Sequence, residues 1–435
     1  MAHFYKIFIF IFLITQGITM SATLKEIQHN GTNIPVIFEK NNNLPIFNLQ
    51  LVFQNSGYIN DKEKIGITNL TAKVLNEGTK KNGAISFAKD LENNAISIHT
   101  STGFETFVIE ISSLKSEYKL ALQYLNKLLK DPNLTKETLH KIKLLQISKL
   151  KQKENDFDYI ASKHLKKIQY KNTALEFPSS GNIKHIENIK LKDIKKHLDT
   201  ILNLDNLIIV AGGDLKFSEI ETDLEKTLQQ LKNNGKTVFN KIKSSKEAKE
   251  ETILKETEQS YIYFSSPFNI DYDSKESYKA KVASFILGGS GFGSRLMEEI
   301  RVKHGLAYSA YGNIVNNKSH SHFTGYLQTK LDNTTKAKKM VSKIVNKFVK
   351  SGITEEELES AKKFLTGSEP LRTETFSQRL NRAFHLYYRG LAFDYPKQEL
   401  DKINKLSVEE LNNFIKKHKE LNQLSFSIVT QSVTK

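Results

Sequence analysis

Four glycines, Gly288, Gly289, Gly291 and Gly293, fall within six residues, and a guanidinium and a phenol, Arg301 and Tyr308, follow shortly after. A glycine-rich turn ahead of a helix can cradle phosphate on its backbone N–H groups. The spacing here argues against that use. It is not Gly-x-Gly-x-x-Gly, no Gly-Lys-Ser/Thr follows, and a helix rather than a strand precedes it. The segment reads instead as a flexible, sterically open turn. A helix from Ser294 to Lys303 follows and stops at Gly305, a residue suited to leaving a helix. Arg301 near that helix end and Tyr308 at the start of the next strand are placed to approach one another. On residue chemistry alone, Arg301 pairs with Glu298 one turn back and Tyr308 packs.

Other chemistries are thinly represented. The chain has no cysteine, which removes thiolate catalysis, disulfides and cysteine-ligated metals. It has no Gly-x-Ser-x-Gly and no kinase-like motif set. His320-Ser-His322 puts two imidazoles on one face of a strand, but no third ligand accompanies them, so they read as a surface pair rather than a metal site. The formal charge is +16, from 64 Lys+Arg against 48 Asp+Glu. The excess is lysine spread along the chain, with no arginine block and no nucleic-acid motif, so no nucleic-acid partner is expected. Lys6, the apolar run Ile7–Ile14 and the small pair Ser21-Ala22 read as an export signal over residues 1–22. That run is too short to span a bilayer, and no other run reaches ~18 apolar residues. The expectation is an exported, periplasmic protein with no stable membrane insertion.

The elements that must position Arg301 and Tyr308 repeat along the chain. The segments around Thr135 and Thr354 match, each a helix end, a turn, and a threonine capping a helix with an acid in its first turn. These threonines lie 219 residues apart, and Ile189–Ile194 matches Leu406–Leu411 at an offset of 217. Strand-like runs follow both, at Leu207–Ala211 and Leu424–Val429. Two agreeing offsets suggest a duplicated unit of about half the chain. Within the first unit, strands are expected at Ile34–Phe38 and Phe47–Phe53 and a hairpin at Ala95–His99 and Phe107–Ile111. Helices are expected at Ile67–Leu75, Tyr118–Leu129 and Lys136–Gln152. The second unit echoes this with a strand at Tyr261–Phe264, a helix at Tyr278–Leu287 and a hairpin at Ala307–Ile314 and His322–Gln328. The fold class is α+β, two duplicated domains, each an antiparallel sheet packed with helices. The domains are 23–232 and 251–435, joined by a polar, lysine-rich linker, 233–250.

The stretch from Gly288 to Tyr308 resembles the second-half signature of the pitrilysin/insulinase peptidase family: a glycine-rich turn, Ser-Arg-Leu, an acidic helix with Ile-Arg, then Gly-Leu-x-Tyr. It is closest to the branch of bacterial two-subunit peptidases and the mitochondrial processing peptidase. The resemblance implies two duplicated α+β halves and a chain forming half of a clamshell dimer. It also implies that Arg301 and Tyr308 bind the substrate backbone near the scissile bond, and that Gly288, Gly289, Gly291 and Gly293 contact the incoming peptide.

The family's zinc motif, His-x-x-Glu-His before a Gly-Thr, matches Asn69-Leu-Thr-Ala72-Lys73 ahead of Gly78-Thr79. Asn69 and Lys73 stand at the histidine ligand positions, Ala72 at the general base, and Lys149 near the place of the third ligand. An amide and two ammonium groups make no zinc site, and Ala72 activates no water. The lysines are expected to reach solvent. The resemblance therefore implies no cofactor in this chain, zinc in a homologous partner subunit, and a peptide substrate. A non-enzymatic binding or structural role within the same family is the alternative.

Overall fold

In the computed structural model, which describes residues 22–61, 63–238 and 240–431, the two expected caps start their helices. The Thr135 side chain accepts from the Thr138 N–H at the head of Lys136–Gln152, and Thr354 accepts from Glu357 N–H at the head of Glu355–Gly367. Expected helices at Ile67–Leu75 and Lys136–Gln152 form with those bounds. The reading of residues 1–22 as an export signal lies, except for Ala22, outside the described residues.

Eleven strands among the described residues form two sheets. The first half supplies β1 (Thr23–His29), β2 (Thr32–Lys40), β3 (Ile46–Gln54), β4 (Ser97–Thr102), β5 (Thr106–Leu114) and β6 (Leu207–Gly213). The second supplies β7 (Glu250–Leu254), β8 (Gln259–Pro267), β9 (Ala307–Asn316), β10 (Ser321–Lys330) and β11 (Ser425–Thr430). The orders are β1-β2-β6-β3-β5-β4 and β7-β11-β8-β10-β9. Apart from β1 the two orders superimpose: the strand that closes each half slots between that half's early strands. Both sheets are antiparallel, as expected, except at one join in each. β6 runs parallel to β2 and β11 parallel to β7. A strand returning after a long helical excursion has its direction set by the crossover and not by a hairpin.

Each half has its own core, one centred on Phe47, Phe53 and Phe107, the other on Phe264, Phe323 and Phe348. The opposite sheet faces are covered reciprocally. Helix Phe376–Tyr388 of the second half lays Leu380, Ala383 and Phe384 on Ile37, Val52, Ile208 and Val210 of the first sheet. Helix Phe157–Gln169 of the first half lays Ile160 and Ala161 on Val429 of the second. Hence β6 is buried at every residue: alternate side chains face the home helices and the visiting one.

The described residues of 233–249 form no helix or strand but are pinned to both halves, with Thr237 N–H donating to Asn206 Oδ1 (3.1 Å) and Ile242 N–H to Ser319 O (2.6 Å). Glu105 also ties the halves together. It accepts from the Ser319 N–H (2.6 Å) and the Tyr388 hydroxyl (2.8 Å). On the visiting helix, Arg379 Nε donates to Glu39 Oε1 at 2.7 Å, and Glu39 is 2% exposed. Burial raises the Glu39 pKa, and the Arg379 hydrogen bond and charge oppose that rise. Arg379→Ala strands a buried carboxylate and is expected to cost about 3 kcal/mol in urea unfolding, the low end for a broken buried pair. Glu39→Gln in that background should recover part of the loss; no recovery would assign the loss to packing.

Candidate functional site

The glycine-rich turn is shaped by what it must pass. Helix Ser277–Ser284 continues into a π-helical turn, Phe285–Gly289. A Cβ on Gly288 would lie 2.6 Å from Gly312 N on β9 and 2.7 Å from Leu296 Cδ1, so only glycine lets the turn lie against the strand. Gly291 and Gly293 hold φ +67° and +90°, left-handed values that favour glycine. Ser294, fully buried, donates to Gly291 O (2.7 Å) and caps the next helix. Arg295 then fixes the segment to the rest of the half, gripping Glu357 through both carboxylate oxygens and donating to Gly352 O (2.7 Å).

The expected helix over Ser294–Lys303 is a single α-turn, Arg295–Met297, that widens into a π-helix, Glu298–Lys303. π-segments concentrate at functional sites because they re-aim side chains. Here Arg301 does not pair with Glu298, as residue chemistry alone suggested. Its guanidinium carbon sits 4.5 Å from the centroid of the Tyr308 ring and 4.6 Å from that of Phe292. Among the described residues it has no ion pair and no side-chain hydrogen bond. Tyr308 is 81% exposed and Phe292 66% exposed, so Tyr308 does not pack as expected. The guanidinium thus lies against two rings while its N–H donors stay unengaged among the described residues. The phenol beside it is also a free donor, on the edge strand of its sheet. Phe292 carried no signal in the sequence, because an aromatic inside a glycine-rich turn belongs to no periodic pattern.

The first-half helix Ile67–Leu75 carries the other matched positions. Ala72 is buried, and the half-buried Asn69 has its Oδ1 enclosed without a partner. Lys73 does not run out to solvent: its ammonium donates to the Gln146 side chain, whose Nε2 donates to Ser180 O (2.8 Å). Burial lowers the Lys73 pKa, and the charges of Lys149 and Lys153 lower it further. Lys149 is exposed; the buried residue opposite Lys73 is Gln146, one turn earlier. Counting from the matched lysine missed this because the helix register, not the residue count, decides which side chain faces across. Two amides, an ammonium and a methyl do not fit a zinc ion. Among the described residues no three His, Cys, Asp or Glu side chains group in a way that could hold a metal. The pair His320 and His322 is not a surface pair either; His320 is 2% exposed and the two rings stack 5.5 Å apart.

Two further residues shape this end of the first sheet. Asp61, 2% exposed, accepts from the Gly66 N–H (3.0 Å) and from Thr68, whose hydroxyl also meets His197 Nε2 at 2.8 Å. Asn76 lies along the edge strand β4 and stands in for a neighbouring strand, donating to Thr100 O (3.0 Å) and accepting from the Thr100 N–H (2.7 Å). At Thr100 that edge is closed to an added chain.

Comparison with known proteins agrees with this architecture. Residues 36–181 match the family model described as Insulinase (Peptidase family M16), and residues 188–365 match that described as Peptidase M16 inactive domain. A Helicobacter pylori protein named Non-peptidase homolog YmxG is 42% identical over 426 residues, covering 96% of this chain and 98% of that protein. A Bacillus subtilis protein named Uncharacterized zinc protease YmxG is 23% identical over 317 residues, 73% of this chain and 76% of that one. The crystal structure of a peptidase M16 inactive domain from Pseudomonas fluorescens superposes with a TM-score of 0.86 at 23% identity, covering 95% of this chain and 99% of that one. At that identity the likeness is one of fold.

Proposed function

The chain belongs to peptidase family M16, the insulinase family, and on that premise we propose that it is the metal-free, substrate-binding subunit of a two-subunit zinc endopeptidase. The observation that carries the reading is an asymmetry. The matched metal positions hold Asn69, Ala72 and Lys73, while Arg301 and Tyr308 keep free donors side by side. A homologous partner with His-x-x-Glu-His would bring the zinc and the general base. This chain would bring two donors that orient an extended peptide and bind the scissile carbonyl oxygen as negative charge develops on it. In this reading residues 23–232 and 251–435 are the two peptidase-like domains, and the chain closes on its partner like a clamshell. Export to the periplasm through residues 1–22 completes the proposal. No helix among the described residues is long and apolar enough to cross a membrane.

The test is reconstitution with the homologue encoded beside this chain, if that neighbour carries His-x-x-Glu-His. The purified chain alone is expected to bind no stoichiometric zinc and to cleave no unfolded peptide; the mixture should cleave. Stoichiometric zinc together with hydrolysis by the isolated chain would refute the reading. The second reading, a non-enzymatic binding or structural homologue, draws support from the name of the Helicobacter pylori relative. A stable complex that hydrolyses nothing would favour it.

A further inference from the structure

A second site lies where the visiting helix Phe157–Gln169 crosses the second sheet. Register sets out the sheet face in three rows. Tyr263, Tyr326 and Tyr311 face one another across β8, β10 and β9. Two residues along come Ser265, Thr324 and Asn313, and two further on His322 and Val315. Tyr263 stacks on Tyr326 at 5.5 Å between centroids, and Tyr311 lies tilted against Tyr326 at 5.6 Å. On the far side, Tyr170 sets its edge against His320 and His322. Short side chains between two rows of rings leave a trough, which Leu165, Lys166, Gln169 and Tyr170 roof into a cavity of about 380 Å³. That volume suits a small molecule held mostly by aromatic walls.

Ser265, Thr324 and Tyr263 in the lining donate to Phe323 O, Phe264 O and Asp158, but several other polar groups of this cavity lack partners among the described residues. Both amide atoms of Gln169, the Tyr170 hydroxyl and His322 Nδ1 are buried with no hydrogen bond, and Gln169 and Tyr170 are 2% and 5% exposed. Lys166 lines the same space, and among the described residues its ammonium has neither an ion pair nor a hydrogen bond. Burial lowers its pKa, as expected for a cation without a counter-ion. The carboxylates at the margins are engaged elsewhere: Glu105 with Ser319 and Tyr388, Asp158 with Tyr263 and Gln328. Folded proteins rarely leave one buried polar group unmet, at about 1–3 kcal/mol each, and here several converge on one cavity.

We propose that this cavity binds a small aromatic carboxylate, its ring between the tyrosine row and Tyr170 and its carboxylate on Lys166, with the Gln169 amide meeting its remaining polar atoms. Arg301, Phe292 and Tyr308 do not line this cavity, although its Tyr311 reaches the glycine-rich turn, where a Cβ on Gly291 would lie 3.7 Å from the ring; every lining residue belongs to this chain, so the test needs no partner subunit. The chemistry is shared by free aryl carboxylates and by the C-terminal aromatic residue of a peptide.

The chain contains no tryptophan, so indole fluorescence reports a tryptophan-based probe without protein background. N-acetyl-L-tryptophan added to the full mature chain should show saturable anisotropy. N-acetyl-L-tryptophanamide, which lacks the carboxylate, should bind at least about tenfold more weakly, the loss of one charge-assisted contact. Lys166→Met should abolish that discrimination while leaving urea stability unchanged or raised, because it deletes a half-buried cation that has no ion pair among the described residues. Gln169→Leu is the second variant and should weaken both probes. A Gly-Gly-Gly-Trp peptide that binds more tightly than the free acid assigns the site to peptide ends; equal or weaker binding assigns it to a free small molecule. No binding by the folded wild-type chain at about 1 mM probe, a thousandfold above micromolar affinity, or equal binding of acid and amide, would overturn the proposal.

Discussion

In the proposed two-subunit enzyme, once reconstituted, Tyr308→Phe and Arg301→Ala are each expected to cut kcat by about 10²–10³-fold, with complex formation and zinc content unchanged. The magnitude is that of removing one preorganised donor from a developing oxyanion, about 2.7–4 kcal/mol of transition-state stabilisation. Folding should be indifferent to both changes. Tyr308 is 81% exposed and its hydroxyl binds nothing among the described residues, so losing that oxygen breaks no contact there. Arg301 loses only exposed stacking on two rings, worth about 0.5–1 kcal/mol. A phenol that served packing would give the reverse pattern, with lost stability and intact turnover. Phe292→Ala is the graded control: it frees one side of the guanidinium without removing it, so the loss in kcat should be smaller than for Arg301→Ala. Full turnover in Tyr308→Phe and Arg301→Ala together would remove both residues from the chemistry.

The second large effect is on stability in mild acid. His320 is buried and His197 and His322 are half-buried, and burial pushes their pKa values from 6.5 down to about 4 for His197, about 4 for His320 and about 3 for His322. Each imidazole is held neutral in the folded chain and gains a proton on unfolding once the pH falls below 6.5. Their contribution is therefore intact above that pH and is lost as pH falls towards the folded values. Three protons correspond to a slope of up to about 4 kcal/mol per pH unit. Asp61 works against this. Its pKa is raised from 3.8 to about 7 by burial, so the folded chain holds a proton that the unfolded chain releases, and acid favours folding there by up to about 1.4 kcal/mol per unit. The net expectation is a urea midpoint that falls steeply from pH 6.5 to about 5, before most paired carboxylates begin to titrate. His322→Gln should remove about one proton from the slope. A midpoint that is flat across that range in the wild-type chain would contradict the enclosed, neutral state of these rings.

What the sequence disclosed, and what it withheld, follows from the range of the interactions. Thr135, Thr354 and the apolar period of Ile67–Leu75 act within a turn or two, so caps, helix bounds and the duplication could be read along the chain. The parallel joins of β6 and β11 depend on where a strand docks after a long excursion, which no local pattern records. The same holds for the visiting helices: the stripe on Phe376–Tyr388 announces an apolar face but not that its partner is the other half's sheet. At the candidate site, the family resemblance, not residue chemistry, singled out Arg301 and Tyr308, which the fold sets side by side. The π-helical register that swings Arg301 away from Glu298 and onto Phe292 was beyond any count of residues. Lys73 and Gln146 show the same shortfall in smaller form, since a single helical turn decided which side chain faced inward.

The reciprocal helices carry a consequence for how such a molecule can be taken apart. Neither half finishes its own sheet; each wears a rib grown by the other, like two hands with fingers interlaced. Cutting the strap at 233–249 would sever the chain without separating the bodies, while a gene truncated at that strap would make a lone half whose bare face, Ile37, Val52, Ile208 and Val210, seeks any greasy surface it meets.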